Sequence, residues 1–251
     1  LIGGIDEAGR GAVIGPMVIA GVTIDIKSEK KLKILGVKDS KKLKPKKREM
    51  LYDHIQKIAK DIIVLKVAPC RIDTYRKMGM NLDKIEAMKM AEIIDFNNAA
   101  RFYVDALTQN PKRFKEVISG FLKNKNADLV VDNYMDESVT VVSAASIIAK
   151  VERDREIEEL KKTVGVNFGV GYPHDPRTIQ FMEKIVSESK GKDLPDYIRK
   201  SWVTTEMMQE RNWQKKIMEF VFRKCAYGYR QEIDTNLFCA WHSCSTCNAV
   251  C

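Results

Sequence analysis

The chain is poor in cysteine over most of its length. Cys70 stands alone, and Cys225, Cys239, Cys244, Cys247 and Cys251 all fall in the last 27 positions. A long body with one cysteine excludes a secreted disulfide scaffold. Apolar runs are short as well. A membrane helix needs about 18–20 consecutive apolar residues, and the best candidate, from Val13 to Ile24, is interrupted by Gly15, Pro16 and Gly21. The first residues lack a basic flank followed by an apolar core, so no signal peptide is visible. Internal repeats and long low-complexity tracts are missing too. These absences lead to the expectation of a soluble, cytoplasmic protein with no membrane contact.

What is present is a chain of 251 residues, 45% hydrophobic and 31% charged, enough to bury the core of one large domain or two small ones. Lys and Arg number 43 against 34 Asp and Glu, a net charge of +9. That balance favours a polyanionic partner, nucleic acid first and an anionic membrane surface second.

The most informative stretch is the first eleven residues. Leu1 to Ile5 reads as a buried strand that ends in adjacent acids, Asp6 and Glu7, followed by the turn Gly9, Arg10, Gly11. Two desolvated like charges repel and each needs a partner, for which a divalent metal ion is the obvious choice. Glycines let backbone N–H groups approach a ligand closely. Metal and phosphate together suggest phosphoryl transfer on a nucleic acid.

Strand and helix signals alternate along the chain, which indicates an α/β domain. Residues 17–24 and 61–67 read as strands that form a meander with the first. Shorter strands are expected at 101–106 and 127–131. Helical spacing marks 44–60, a helix capped by Asn81, another begun by Pro111, a long helix over 143–160 and one opened by Asp175 and Pro176. From Trp202 the pattern is helical to about Phe220, where the composition turns Cys-rich.

Acids recur at strand ends, where α/β active sites gather. Asp105 closes one strand, and Asp132 and Asp136 follow another, just before the long helix. Two Mg²⁺ ions need roughly three to four carboxylates, because Mg²⁺ prefers oxygen ligands and keeps several waters. The number of acids suffices, with Asp132 and Asp136 both open as the last ligand.

Five motifs occur in a telling order: Asp6 to Gly11; Asp39, Ser40, Lys41; Tyr103, Val104, Asp105; Ser143 to Lys150; and Gly171, Tyr172, Pro173. Together they closely resemble the type 2 ribonucleases H (ribonuclease HII), particularly the archaeal branch, over about residues 1–205. The resemblance implies a ribonuclease H-like mixed five-stranded sheet flanked by helices, with a helical C-terminal extension. It implies four catalytic acids, Asp6, Glu7, Asp105 and Asp136, holding two Mg²⁺ or Mn²⁺ ions. It selects Asp136 over Asp132, with Glu137 as the competitor. The implied activity is hydrolysis of the RNA strand of RNA/DNA hybrids, including single ribonucleotides in duplex DNA, leaving 5′-phosphate and 3′-hydroxyl ends.

By the same resemblance, Gly9, Arg10 and Gly11 contact the 2′-hydroxyl and its flanking phosphates, and Tyr172 supports the ribonucleotide junction. Asp39, Ser40, Lys41, Ser146 and Lys150 are further candidate substrate contacts, whereas Ser143 is expected to cap the long helix. The basic run from Lys41 to Arg48 reads as a solvated helix start placed where it could also bind. The segment from Arg199 to Trp202 is a second candidate for gripping the duplex. Partners implied are the hybrid, ribonucleotide-containing duplex DNA and a replication clamp, with the enzyme itself a monomer. Two other readings are a related nuclease with another substrate, and a basic duplex-binding module whose acids are structural.

The expected organisation is a catalytic domain over 1–205, a helix over 206–220 and a Cys-rich tail over 221–251. Cys239, His242, Cys244, Cys247 and Cys251 could supply tetrahedral zinc ligands, but their spacing fits no familiar zinc module, and the expectation is a tail of unknown structure, either disordered or simply an unusual terminus.

Overall fold

A computed structural model of the chain describes residues 1–37, 43–123, 127–189 and 193–233, with side chains through Met218. Five strands, β1 (Ile2–Ala8), β2 (Met17–Ile24), β3 (Asp61–Val67), β4 (Arg101–Asp105) and β5 (Asp128–Asp132), form one mixed sheet in the order β3-β2-β1-β4-β5. The first three make the antiparallel meander expected from their spacing, while β4 and β5 continue parallel to β1.

β2 is buried along its whole length, as its β-branched, uncharged sequence requires. Its alternate side chains feed two cores. Met17 and Ile19 face one side, where α3 (Pro69–Lys77), α4 (Leu82–Asp95) and α5 (Pro111–Phe121) pack. Val18, Ala20 and Val22 face the other, covered by α1 (Glu29–Ile34), α2 (Pro45–Ile58) and α7 (Thr140–Val164), which follows the single-turn helix α6 (Met135–Ser138). A third cluster joins Val13 and Ile14 to Phe181 and Met182 of α8 (Pro176–Glu188). Helix starts follow the sequence signals: the side chains of Asn81, Asn110 and Asp175 each accept a backbone N–H of the first turn.

Several boundaries differ from expectation. β1 does not stop at Ile5 but runs through both acids, because pairing with β2 continues to Ala8 opposite Val18. α7 begins at Thr140, so Ser143 sits inside the helix instead of capping it. Its hydroxyl donates to the carbonyl of Asp136 at 2.6 Å and to that of Val139 at 3.3 Å. α1 and α3 went unforeseen, although Pro69 marks the start of α3. The last helix, α9 (Val203–Ile233), continues past residue 220. Arg223, Lys224, Ala226, Arg230, Gln231 and Glu232 are good helix formers, and Cys225 alone of the late cysteines falls among them. Cys239, His242, Cys244, Cys247 and Cys251 lie outside the described residues. The chain divides into two units, Leu1–Met208 and Gln209–Cys251. Among the described residues no helix is long and apolar enough to cross a membrane.

α7 packs backbone to backbone against β1 at Gly4. A Cβ at Gly4 would lie 2.4 Å from the carbonyl carbon of Val141 and 2.6 Å from the backbone nitrogen of Val142. Helix backbone cannot yield as a flexible side chain can. Gly4→Ala is therefore expected to cost about 3 kcal/mol of stability, measured as a lowered urea midpoint; an unchanged midpoint would refute this account of the contact.

Candidate active site

The register of the sheet brings the acids together. Ile5 of β1 pairs with Val104 of β4, so the next residues, Asp6 and Asp105, stand side by side on parallel strands. Beyond β5, Tyr134 adopts a left-handed conformation (φ 60°) and turns the chain into α6. Asp136 thereby faces inward, whereas Asp132 and Glu137 are exposed. Asp6, Asp105 and Asp136 are all buried, and each offers an oxygen within 4.8 Å of the others, a group that could hold a metal ion. The structure thus separates Asp136 from both of its competitors.

Backbone groups hold this cluster in place. The N–H of Met135 donates to Asp105 Oδ1 at 2.7 Å, tying α6 to the end of β4. The N–H of Glu7 donates to Asp6 Oδ1, also at 2.7 Å. Burial raises the pKa of Asp6 well above the ordinary carboxyl value, and the negative charges of Glu7 and Asp105 add to the effect. A hydrogen bond from Ser146 and the Glu7 N–H oppose it without prevailing. A divalent cation would relieve this repulsion, and an all-carboxylate donor set suits a hard cation.

Glu7 lies outside the cluster but lines the adjoining cavity of about 210 Å³, together with Asp6, Asp105, the turn Gly9–Arg10–Gly11, Ser146, Lys150 and Tyr172. Lys150 donates to Asp154 at 2.6 Å, and burial, only partly offset by Asp154, lowers its pKa. The tyrosine ring has the guanidinium carbon of Arg153 at 4.6 Å from its centroid and stacks with His174 at 5.4 Å. Asp39, Ser40 and Lys41 lie outside the described residues.

The turn is braced from behind. Gly9 has φ +84°, and a Cβ there would meet the carbonyl oxygen of Pro16 at 2.7 Å, so glycine is required. At Gly11, which also lines the cavity, a Cβ would meet nothing within 4 Å, so the space beside it is open. Arg10 donates to Asp83 at 2.6 Å and to Glu86. Arg199 donates to the carbonyls of Gly9 and Arg10, both at 2.6 Å, and to that of Gly15 at 3.2 Å.

Of the two basic segments read from sequence as possible duplex grips, the one from Arg199 to Trp202 behaves otherwise, whereas Lys44, Lys46 and Lys47 are exposed at the start of α2, as expected of a solvated helix start. Arg199 is fully buried, its guanidinium 4.7 Å from the Trp202 ring centroid, and the backbone of Lys200 and Ser201 is held by Asp73. This segment is an internal brace, because backbone carbonyls of the turn satisfy the cation. Arg48 is likewise buried, donating to the carbonyl of Leu43 at 2.6 Å and to Asp154 at 3.3 Å. Arg153 and Glu86 were not expected at the site, and Arg199 was expected as a duplex contact, not as a brace behind the turn. For Arg153 a signal existed: it lies three residues beyond Lys150 and seven beyond Ser146, on the same helix face.

Comparisons with known proteins agree with this geometry. Residues 3–205 match the family model described as Ribonuclease HII. The ribonuclease HII of Methanococcus maripaludis (strain C6) is 44% identical over 225 residues, covering 88% of this chain and 92% of that protein. The crystal structure of the ribonuclease H2 from Pyrococcus horikoshii superposes with a TM-score of 0.76 at 41% identity, over 84% of this chain and 98% of that one. A ribonuclease HII from Archaeoglobus fulgidus, solved in complex with PCNA, gives 0.74 at 39% identity, over 83% and 97%.

Glu86 links the site to pH. Its burial pushes the carboxyl from 4.5 up to about 8, against the opposing pull of Arg10. Between those values the folded protein keeps a proton that the unfolded chain has released, so stability falls as pH rises through the window. Glu86→Gln, neutral throughout, should flatten this slope in urea melts from about pH 5 to 8 in EDTA. Identical slopes for the two proteins would count against the assignment.

Proposed function

Because the chain belongs to the ribonuclease HII family, an endoribonuclease family, we propose that it hydrolyses the RNA strand of RNA/DNA hybrids and cuts at single ribonucleotides embedded in duplex DNA, leaving 5′-phosphate and 3′-hydroxyl ends. The observation that carries the reading is the buried cluster of Asp6, Asp105 and Asp136 at the ends of neighbouring strands. Asp6, Asp105 and Asp136, with Glu7 beside them, are the proposed catalytic and metal-holding acids, and Mg²⁺ or Mn²⁺ is the proposed cofactor. When bound there, a pair of such ions would supply an activated water and neutralise charge at the scissile phosphate.

The protein's own groups orient the substrate. Reading RNA within a duplex requires sensing the 2′-hydroxyl. The braced turn of Gly9, Arg10 and Gly11 is the proposed reader, supported by its fixed backbone and by the open space beside Gly11. Tyr172 is the proposed support for the ribonucleotide junction. Ser146 and Lys150, both lining the cavity, are proposed substrate contacts, as are Asp39, Ser40 and Lys41. Residues 1–205 are the proposed catalytic domain, acting as a monomer in the cytoplasm.

A sliding clamp is the proposed protein partner, supported by the relative solved with PCNA. Co-elution of the full chain with such a clamp in size-exclusion chromatography is expected; separate elution at micromolar concentrations would reject the pairing.

The decisive assay uses a DNA duplex containing one ribonucleotide, with Mg²⁺, Mn²⁺ or EDTA. Cleavage is expected with a metal and none with EDTA. Asp6→Asn should lose about a hundredfold or more of the activity while melting no earlier than the parent protein. Gly11→Ala should fold normally yet cut less efficiently, because its methyl group would enter the space reserved for substrate. Absence of cleavage with either metal would sink the proposal.

A further inference from the structure

Arg153 is a fully buried arginine with unusual surroundings. Its Nη2 donates to the carbonyl of Val170 at 2.6 Å, and Nη1 lies 3.6 Å from Asp154 Oδ1, too far for a hydrogen bond. Nε and Nη1 make no hydrogen bond. The side chain fills the gap between the two glycine loops of the site. A Cβ at Gly9 would sit 3.3 Å from its Cγ, and one at Gly171 would sit 3.0 Å from its Nη2.

Leaving two donors of a buried guanidinium unmade is costly, and a methionine of similar length would fill the same gap without that cost. What a thioether cannot supply is a positive charge over a ring face and a donor for a carbonyl. Both partners of that kind, the Tyr172 ring and the Val170 carbonyl, belong to one loop. The charge on Arg153 therefore acts on the loop that carries Tyr172 as well as on the neighbouring Asp154 of its own helix, and its stem acts on the turn that carries Gly9.

We infer that Arg153 is a positioning residue that sets the Tyr172 ring against the Gly9–Gly11 turn, and so governs how well the enzyme handles a lone ribonucleotide compared with a continuous hybrid. The inference rests on the reading of Tyr172 as the junction support. Arg153 touches no reacting atom; it acts through the tyrosine. Small misplacements at such a contact are enough to matter, since about 1 Å can cost a hundredfold in rate.

The test compares kcat/KM on two duplexes of equal length, one with a single ribonucleotide and one with a continuous RNA strand. Five proteins are needed: the parent, R153M, R153K, Y172A and the double variant R153M/Y172A, each with its thermal melt. R153M is expected to lose about ten- to a hundredfold on the single ribonucleotide and much less on the hybrid. In the Y172A background the same change should shift the preference by less than about twofold, because residues acting as a unit are non-additive. R153K keeps the charge but not the planar group, and should resemble R153M. Equal losses on both substrates, or losses that multiply with Y172A, would show a merely structural role and overturn the inference. If R153M does not fold, R153K decides by the same criterion, and a wild-type preference in R153K refutes it. A Y172A protein with wild-type preference would instead remove the junction reading and the inference together, whereas an altered Y172A beside an unaltered R153M removes the inference alone.

Discussion

Asp6 and Asp105 share one level of the sheet because Ile5 pairs with Val104, and this register forces two carboxylates into one buried space before Asp136 adds a third. Much of the surrounding structure manages that crowding. Backbone N–H groups of Glu7 and Met135 each bind one of the acids, and Ser146 reaches a third lone pair from α7. The neighbouring cations are committed elsewhere: Arg10 to Asp83 and Glu86, Lys150 to Asp154, and Arg199 to three backbone carbonyls. A lysine or arginine lodged among the acids would lower their repulsion permanently. Pairing the fixed cations with other groups leaves that role to an exchangeable one.

Fixing the acids and fixing the turn proposed to read the substrate are separate problems solved by different parts of the chain. The sheet and α6 set the carboxylates. The turn of Gly9, Arg10 and Gly11 hangs beyond the last pairing of β1 and would be loose on its own. Its rigidity comes from three directions: the acids of α4 on Arg10, the buried Arg199 on its carbonyls, and Gly171, whose carbonyl accepts from Val13 and Ile14 at 2.9 and 3.1 Å. The loop after α7 therefore meets the segment just beyond the turn through backbone contacts, and the turn itself through Arg153.

What could be read from sequence follows from how local each feature is. Asp6 and Asp105 announce themselves because an acid after a run of buried strand residues breaks a pattern confined to a few positions. Helix starts at Asn81, Pro111 and Pro176 are equally local. Asp136 could not be separated from Asp132 by residue chemistry, since one ends β5 and the other follows it within a few residues. The choice is made by the left-handed turn at Tyr134, a conformation bulky side chains rarely adopt. The end of β1 was misjudged because charge normally terminates a buried strand, whereas here pairing with β2 carries the acids inside. Arg199 looked like a surface cation beside an aromatic. Its burial depends on carbonyls about 190 positions away in the chain, which no local pattern can signal.

That long reach has a consequence for how the molecule comes into being. Contacts between distant residues close large loops and tend to form late. A chain emerging from the ribosome presents β1, β4 and β5 well before Arg199 has been added, and the early elements can begin to assemble as they appear. Such a nascent chain could gather its acids while the turn beside them still lacks its brace. The brace on the turn would then be added only once Arg199 has been made, after the acids beside it have already been gathered.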